Sequence, residues 1–244
     1  SILVSGGTAS GKTSMLNAIA NFFPSNQRII SIEDTRELML PKLLHWVPME
    51  TRLSNPEGKG GIEMLDLIVN SLRMRPDRII VGEIRRKKEA EVLFEAMHTG
   101  HSVYGTLHAN NARETINRLT SPPIDLPKQV LSGLSLIVVQ HINRRIGRRR
   151  TLQIAEVTQA GDAKVIMQLN PVKDELELIS EPEAVLDTLG LYTGLLKQDI
   201  YLDMQAKIEI LKWMVKKNVS DIDKIGMLMS RYYRNKPVMS LKGV

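Results

Sequence analysis

Gly6-Gly7-Thr8-Ala9-Ser10-Gly11-Lys12-Thr13 fits the pattern G-x-x-x-x-G-K-[ST], and it lies between the apolar run Ile2 to Val4 and a helical stretch, Lys12 to Phe23, stopped by Pro24. A strand, a glycine-rich loop and a helix in that order make a phosphate cradle. The glycines let backbone N–H groups curl around phosphate oxygens, and the helix start adds its partial positive charge. Lys12 can reach the β and γ phosphates and Thr13 can offer a hydroxyl to Mg²⁺. The expected ATP-binding segment is therefore Gly6, Gly7, Thr8, Ala9, Ser10, Gly11, Lys12, Thr13 and Ser14.

Working outward, Arg28 to Glu33 alternates β-branched residues and reads as a second strand. A long irregular stretch follows through Pro41, Pro48, Pro56, Gly58, Gly60 and Gly61, and a loop of that length is usually functional. Ile62 to Met74 is helical in period, Arg78 to Gly82 a strand, Glu89 to Met97 a helix, Ser102 to Leu107 a strand and Ala112 to Leu119 a helix. This alternation predicts an α/β fold with a doubly wound, mostly parallel sheet. Leu136 to Ile142, Thr151 to Val157 and Lys164 to Leu169 then follow without helices between them, and predict an antiparallel meander at one sheet edge. From Glu183 the chain is helical again. Ile200, Met204, Ile208, Leu211 and Val215 form an apolar stripe expected to be subdomain core, and Ser220 is expected to cap the last helix. The expected division is residues 1–180 as the ATPase core and 181–244 as a C-terminal helical subdomain.

Composition narrows the classes. The 244 residues carry 33 Lys+Arg against 27 Asp+Glu, a net charge of +6 that favours acidic partners without naming one. With 43% hydrophobic and 25% charged residues, disorder and a membrane-spanning bundle are both excluded. Zero cysteines remove disulfides, thiolate metal sites and a Cys nucleophile. The chain opens Ser1-Ile2-Leu3 with neither Met nor the pattern of a signal peptide, so it is expected to begin inside a longer protein.

A second half-site lies in Ile79-Ile80-Val81-Gly82-Glu83, because a carboxylate at a strand's carboxyl end faces the metal and its waters. Three further boxes share the family signature. Ile32-Glu33-Asp34-Thr35-Arg36-Glu37-Leu38 resembles the acidic box of the type II and type IV secretion ATPases. Met74 to Arg85 resembles their Glu-ended Walker B box, and Thr99-Gly100-His101 with Gly105-Thr106-Leu107-His108-Ala109-Asn110 resembles their histidine box. With the phosphate loop, the boxes occur in the family's order over residues 3 to 120. The run Asn117 to Pro127 and the helical tail look most like the archaeal branch, which assembles archaella and type IV-like pili.

This resemblance implies a RecA-like P-loop NTPase working as a homo-hexameric motor, with ATP and Mg²⁺ as cofactors and a membrane platform protein as partner. It would lie in the cytoplasm at the inner face of the cell membrane. The resemblance also implies an amino-terminal domain ahead of the phosphate loop, absent here, from which finger arginines largely come; the chain alone is then expected to hydrolyse ATP slowly. Departures from the family pattern are Arg86, Lys87 and Lys88 after the Walker B arginine, and the lack of a tetracysteine zinc module.

Hydrolysis needs an oriented water and cations that neutralise the transferring phosphoryl group. Glu33, at the end of the strand after the phosphate-loop helix, is the expected base, with Glu37 as competitor. Glu83 is assigned with Thr13 to Mg²⁺. His108 is expected to sense the γ-phosphate, with His101 a weaker partner and zinc binding by His98, His101 and His108 disfavoured. Arg36, Arg52, Arg85 and Arg113 are the arginine candidates, with Arg85 the first choice. The turn Arg144 to Arg150 holds five arginines in seven residues and reads as a solvated hairpin tip or a docking patch. It also motivates the rival reading of a DNA-translocating ATPase, although nucleic acid is not expected because aromatics are scarce. A nucleotide-binding regulator without turnover is the third class.

Overall fold

A computed structural model describes residues 1–235. In chain order the first half runs β1 (Ile2–Gly6), α1 (Lys12–Ala20), β2 (Arg28–Glu33), β3 (His45–Glu50), α2 (Met64–Leu72), β4 (Arg78–Val81), α3 (Lys87–His98), β5 (Ser102–Leu107) and α4 (Ala112–Thr120). A 3₁₀ turn at Lys128–Gly133 leads to β6 (Leu136–Asn143), β7 (Arg148–Val157), β8 (Ala163–Asn170) and β9 (Glu175–Leu178). Three helices close the described chain: α5 (Glu183–Thr193), α6 (Lys197–Lys216) and α7 (Ile222–Asn235).

All nine strands join one sheet in the order β3-β2-β4-β5-β1-β6-β7-β8-β9. The pairings from β3 through β1 to β6 are parallel, and those from β6 to β9 are antiparallel. Adjacent residues on the central strands feed opposite faces. Leu3, Ile30, Ile79 and Val103 enter the larger apolar core, whereas Val4, Ile29, Ile80 and Tyr104 enter the smaller core that α1 covers. Burial on both faces explains why these strands read as continuous apolar runs. The fold is RecA-like α/β with a mostly parallel sheet and an antiparallel edge.

Four expectations change. The stretch read as one long loop contains β3, which pairs with β2 from His45↔Arg28 to Glu50↔Glu33. β3 is the outermost strand, so Pro48 sits on an edge where its missing N–H leaves no ladder bond broken. β6 is not wholly antiparallel, since it lies parallel to β1 on one side and antiparallel to β7 on the other. Asp221, rather than Ser220, caps α7, its Oδ1 accepting the Lys224 N–H at 2.8 Å. Along α6 the stripe read as core is largely exposed among the described residues: Ile200 and Met214 are buried, but Met204, Ile208, Leu211 and Val215 are not.

The helices after β9 are nonetheless tied to the sheet. Glu156 on β7 is buried, and its Oε2 accepts the N–H groups of Ala184 (2.9 Å) and Val185 (3.3 Å) at the start of α5. Pro182, at the N-cap of α5, supplies no side-chain acceptor, so the strand carboxylate caps the helix from outside. Lys164 compensates the buried charge from 3.3 Å. At the other end, α7 meets the loop after β2, where Asp223 Oδ1 accepts the Lys42 N–H at 2.7 Å.

Candidate functional site

The sheet order reverses beside β1: the chain leaves β1 through α1 toward β2 on one side, while β6 pairs with β1 on the other. Crevices beyond strand carboxyl ends at such a switch point are where open α/β sheets bind ligands. Here the crevice is a cavity of about 580 Å³ lined by residues Thr8 to Ser14, by Glu33, Asp34 and Glu37, by Glu83 and Arg85, and by His108 and Arg149.

The geometry of the Gly6 to Thr13 loop requires its glycines Gly6 and Gly11. A side chain at Gly6 would put its Cβ 2.2 Å from Ser10 Oγ and 2.6 Å from the Gln140 carbonyl oxygen. Gly11, at the N-cap of α1, has φ +98°, a left-handed conformation that glycine adopts without penalty. Lys12 Nζ donates to the carbonyls of Gly6 (3.0 Å) and Gly7 (3.1 Å), folding the lysine back over the loop. Burial pushes the Lys12 ammonium below the usual lysine range, and the Glu83 and Glu37 carboxylates oppose that shift. Thr8, Ala9, Ser10, Gly11, Lys12, Thr13 and Ser14 line the cavity, and Gly6 and Gly7 are outside its lining.

The acidic box folds against this loop. Glu33, 3% exposed at the end of β2, accepts the N–H groups of Glu37 (2.9 Å) and Leu38 (3.0 Å) on Oε1. Its Oε2 is buried without a hydrogen-bond partner, as is Ser10 Oγ across the phosphate loop. Thr13 Oγ1 donates to Glu37 Oε2 at 2.9 Å. The Glu37 carboxylate and the threonine hydroxyl thus meet at the helix start, and the Glu33 and Glu83 carboxylates line the same cavity, oxygen donors of the kind that suit Mg²⁺ with its waters. The orphaned buried oxygens and the glycine cradle fit a magnesium nucleotide.

Opposite them, Arg85 binds both acids at its end of the cavity. Its Nε and Nη2 donate to Glu83 Oε2 at 2.9 and 2.6 Å, and Nη1 donates to Asp34 Oδ2 at 2.5 Å. The Glu83 hydrogen bond is the main cause that raises the Arg85 pKa above its ordinary value. Asp34 of the acidic box thereby joins an ion-pair chain through Arg85 to Glu83. Thr106 Oγ1 donates to the Gly82 carbonyl, tying β5 to the end of β4.

The remaining candidates separate. His108 lines the cavity. His101 does not: its Nδ1 lies 3.3 Å from both Thr99 Oγ1 and the Ala96 carbonyl, at the end of α3. His98 Nε2 lies 2.9 Å from the Val130 carbonyl. No group of three His, Cys, Asp or Glu that could hold a metal ion occurs among the described residues. Arg36 stacks over the Trp46 ring at 4.9 Å, Arg52 donates to the Gly60 carbonyl at 2.6 Å, and Arg113 is an exposed residue of α4 outside the cavity lining.

The residue that sequence reasoning missed is Arg149. It belongs to the basic turn, yet its Nε donates to the Ala9 carbonyl of the phosphate loop at 2.8 Å. The available signal was topological: a strand parallel to β1 brings the turn at its carboxyl end to the same edge as the phosphate loop.

With this geometry in view, the comparisons with known proteins are specific. Residues 1–172 match the family profile described as "Type II/IV secretion system protein". An uncharacterized protein of Methanocaldococcus jannaschii is 36% identical over 231 residues, covering 88% of this chain and 82% of its own length. Among solved structures, the VirB11 ATPase of the Brucella suis type IV secretion system, in complex with sulphate, superposes with a TM-score of 0.54 at 26% identity. That match covers 66% of this chain and 49% of the other. The Legionella pneumophila ATPase DotB gives a TM-score of 0.52 at 26% identity, over 66% of this chain and 46% of its own. The chain thus spans about half the length of these two ATPases.

Proposed function

This chain belongs to the type II/IV secretion system protein family, and from that premise we propose that it is the ATP-hydrolysing part of a motor for secretion or for pilus or archaellum assembly. The observation that carries the reading is the contact between Thr13 and Glu37, set beside the buried, unpartnered Oε2 of Glu33, at the mouth of an intact phosphate loop. Lys12 and the loop N–H groups hold the phosphates. Thr13 and Glu83 would hold Mg²⁺, which would supply charge neutralisation for the transferring phosphoryl group. Glu33 orients the attacking water through Oε2, while its other oxygen fixes the loop that carries Glu37. Arg85 holds Glu83 and Asp34 in place, and His108 reads the occupancy of the outer phosphate.

In this reading residues 1–180 are the ATPase core and 181–244 a helical subdomain. The working form is a homo-hexamer in which hydrolysis drives rigid-body movement at the inner face of the membrane, against a membrane platform protein. No helix among the described residues is long and apolar enough to cross a membrane.

The rival DNA-translocase reading leaned on the basic turn. Three of its five arginines engage groups of this chain instead: Arg149 the phosphate loop, Arg148 and Arg150 the Asp174 carboxylate. Phosphate release from Mg-ATP, measured alone, with anionic vesicles and with duplex DNA, separates the readings. Stimulation by vesicles supports the secretion motor; salt-sensitive stimulation by DNA alone supports the translocase; no release under any condition leaves the non-hydrolysing regulator.

A further inference from the structure

The basic turn presents its arginines on two faces. Arg148 and Arg150 share one face of β7 by the two-residue period of a strand, and both reach Asp174 in the β8–β9 turn, Arg150 Nη2 at 2.6 Å and Arg148 Nη1 at 3.5 Å. Arg150 holds the Asp174 carboxyl below the usual carboxylate range. Arg149 faces the other way, toward β1's end of the sheet, where its Nε meets the Ala9 carbonyl and its Cδ would lie 3.4 Å from a Cβ at Gly11. Among the described residues it pairs with no carboxylate, and its two terminal nitrogens make no hydrogen bond.

A cation without a counter-ion, lining the cavity of the phosphate loop and anchored there by only one of its three nitrogens, is arranged to receive an anion. The remaining N–H groups form the fork that matches phosphate oxygens. We propose that Arg149 is a nucleotide-phosphate ligand supplied in cis by the β6–β7 turn. The inference rests on the nucleotide reading above and deepens it, because it assigns to this chain a phosphate-binding arginine that lies outside the four sequence boxes. The same contact couples the turn to ligand binding, since Arg149 bridges Ala9 and the bound phosphate.

The test is equilibrium binding of ADP to the wild-type chain and to Arg149→Gln, Arg149→Lys and Arg144→Gln. Glutamine keeps a donor for the Ala9 carbonyl but removes the charge; lysine keeps the charge but not the fork. Arg144→Gln removes the same charge from an exposed position of the turn. The proposal expects Arg149→Gln to weaken ADP about tenfold, the worth of one charge-assisted contact. Arg149→Lys should fall between, and Arg144→Gln should stay within about twofold of wild type. Wild-type affinity in Arg149→Gln, with ADP binding intact in the wild type, overturns the proposal and leaves the nucleotide reading standing. Wild-type affinity in Arg149→Lys alone, with Arg149→Gln weakened, supports charge over geometry. A wild-type chain that binds no ADP overturns both. Thermal unfolding of each variant without nucleotide checks the fold, and should Arg149→Gln fail to fold, Arg149→Met takes its place as the charge-removing variant, with about tenfold weakening expected and full retention of ADP overturning the proposal.

Discussion

The Thr13 hydroxyl donates to Glu37 Oε2 at 2.9 Å, joining the start of the phosphate-loop helix to the acidic loop after β2. Glu33 stands behind this contact, because its Oε1 holds the Glu37 and Leu38 N–H groups while its Oε2 stays buried and unpartnered. The two acids that compete in the sequence therefore do different things. One is packed into the end of a strand with a free oxygen; the other touches the residue expected on the metal.

Glu33→Gln removes the carboxylate whose Oε2 is buried and unpartnered at the end of β2. ATP turnover should fall on the order of 10²-fold or more, the usual worth of a general base, with ADP affinity nearly unchanged. Glu37→Gln keeps an acceptor for Thr13 and should instead raise the Mg²⁺ concentration needed for half-maximal turnover. Phosphate release against Mg²⁺ concentration checks both, and normal hydrolysis by Glu33→Gln would transfer the base assignment to Glu37.

Arg85 neutralises Glu83 and Asp34 together. Arg85→Ala leaves two carboxylates facing each other across one end of the cavity, and Arg85→Lys cannot reproduce the three-nitrogen grip. Turnover should drop on the order of 10²-fold in the alanine variant, with partial recovery at high Mg²⁺, because the cation takes over part of the neutralisation. Equal turnover in Arg85→Ala and wild type would remove Arg85 from the site.

Glu156→Ala uncaps α5 and leaves the Ala184 N–H without its acceptor. The expected cost is roughly 1–3 kcal/mol in urea unfolding, with Glu156→Gln costing less because the amide oxygen still accepts. Amide exchange should rise first at the start of α5, ahead of the central strands. Uniform exchange across α5 and the sheet would show that the cap does not govern this junction.

Much of this was legible in the residues, and the exceptions share a cause. The phosphate loop, β2, β4 and β5 are local patterns: Gly6 to Thr13 fixes its own geometry, and Ile29, Ile30, Ile79 and Ile80 mark strands buried on both faces. β3 was hidden because an edge strand tolerates Pro48 and shows neither alternation nor a continuous apolar run. Arg149 was hidden because its partner Ala9 is 140 residues away and only the β1–β6 pairing brings them together. The α6 stripe misled for the opposite reason. Met204, Ile208, Leu211 and Val215 have the spacing of a buried face, but all four stay exposed among the described residues while Ile200 of the same stripe is buried, and spacing alone does not record what a helix packs against.

The central claim is that the Gly6 to Thr13 loop binds the phosphates of a nucleotide through Lys12. The direct measurement is calorimetric titration of ADP with Mg²⁺ into the wild-type chain and into Lys12→Ala. The account predicts saturable one-to-one binding to the wild type and a loss on the order of 100-fold in Lys12→Ala, since the lysine is the one ammonium folded over the loop. Equal affinity in the two proteins would contradict it.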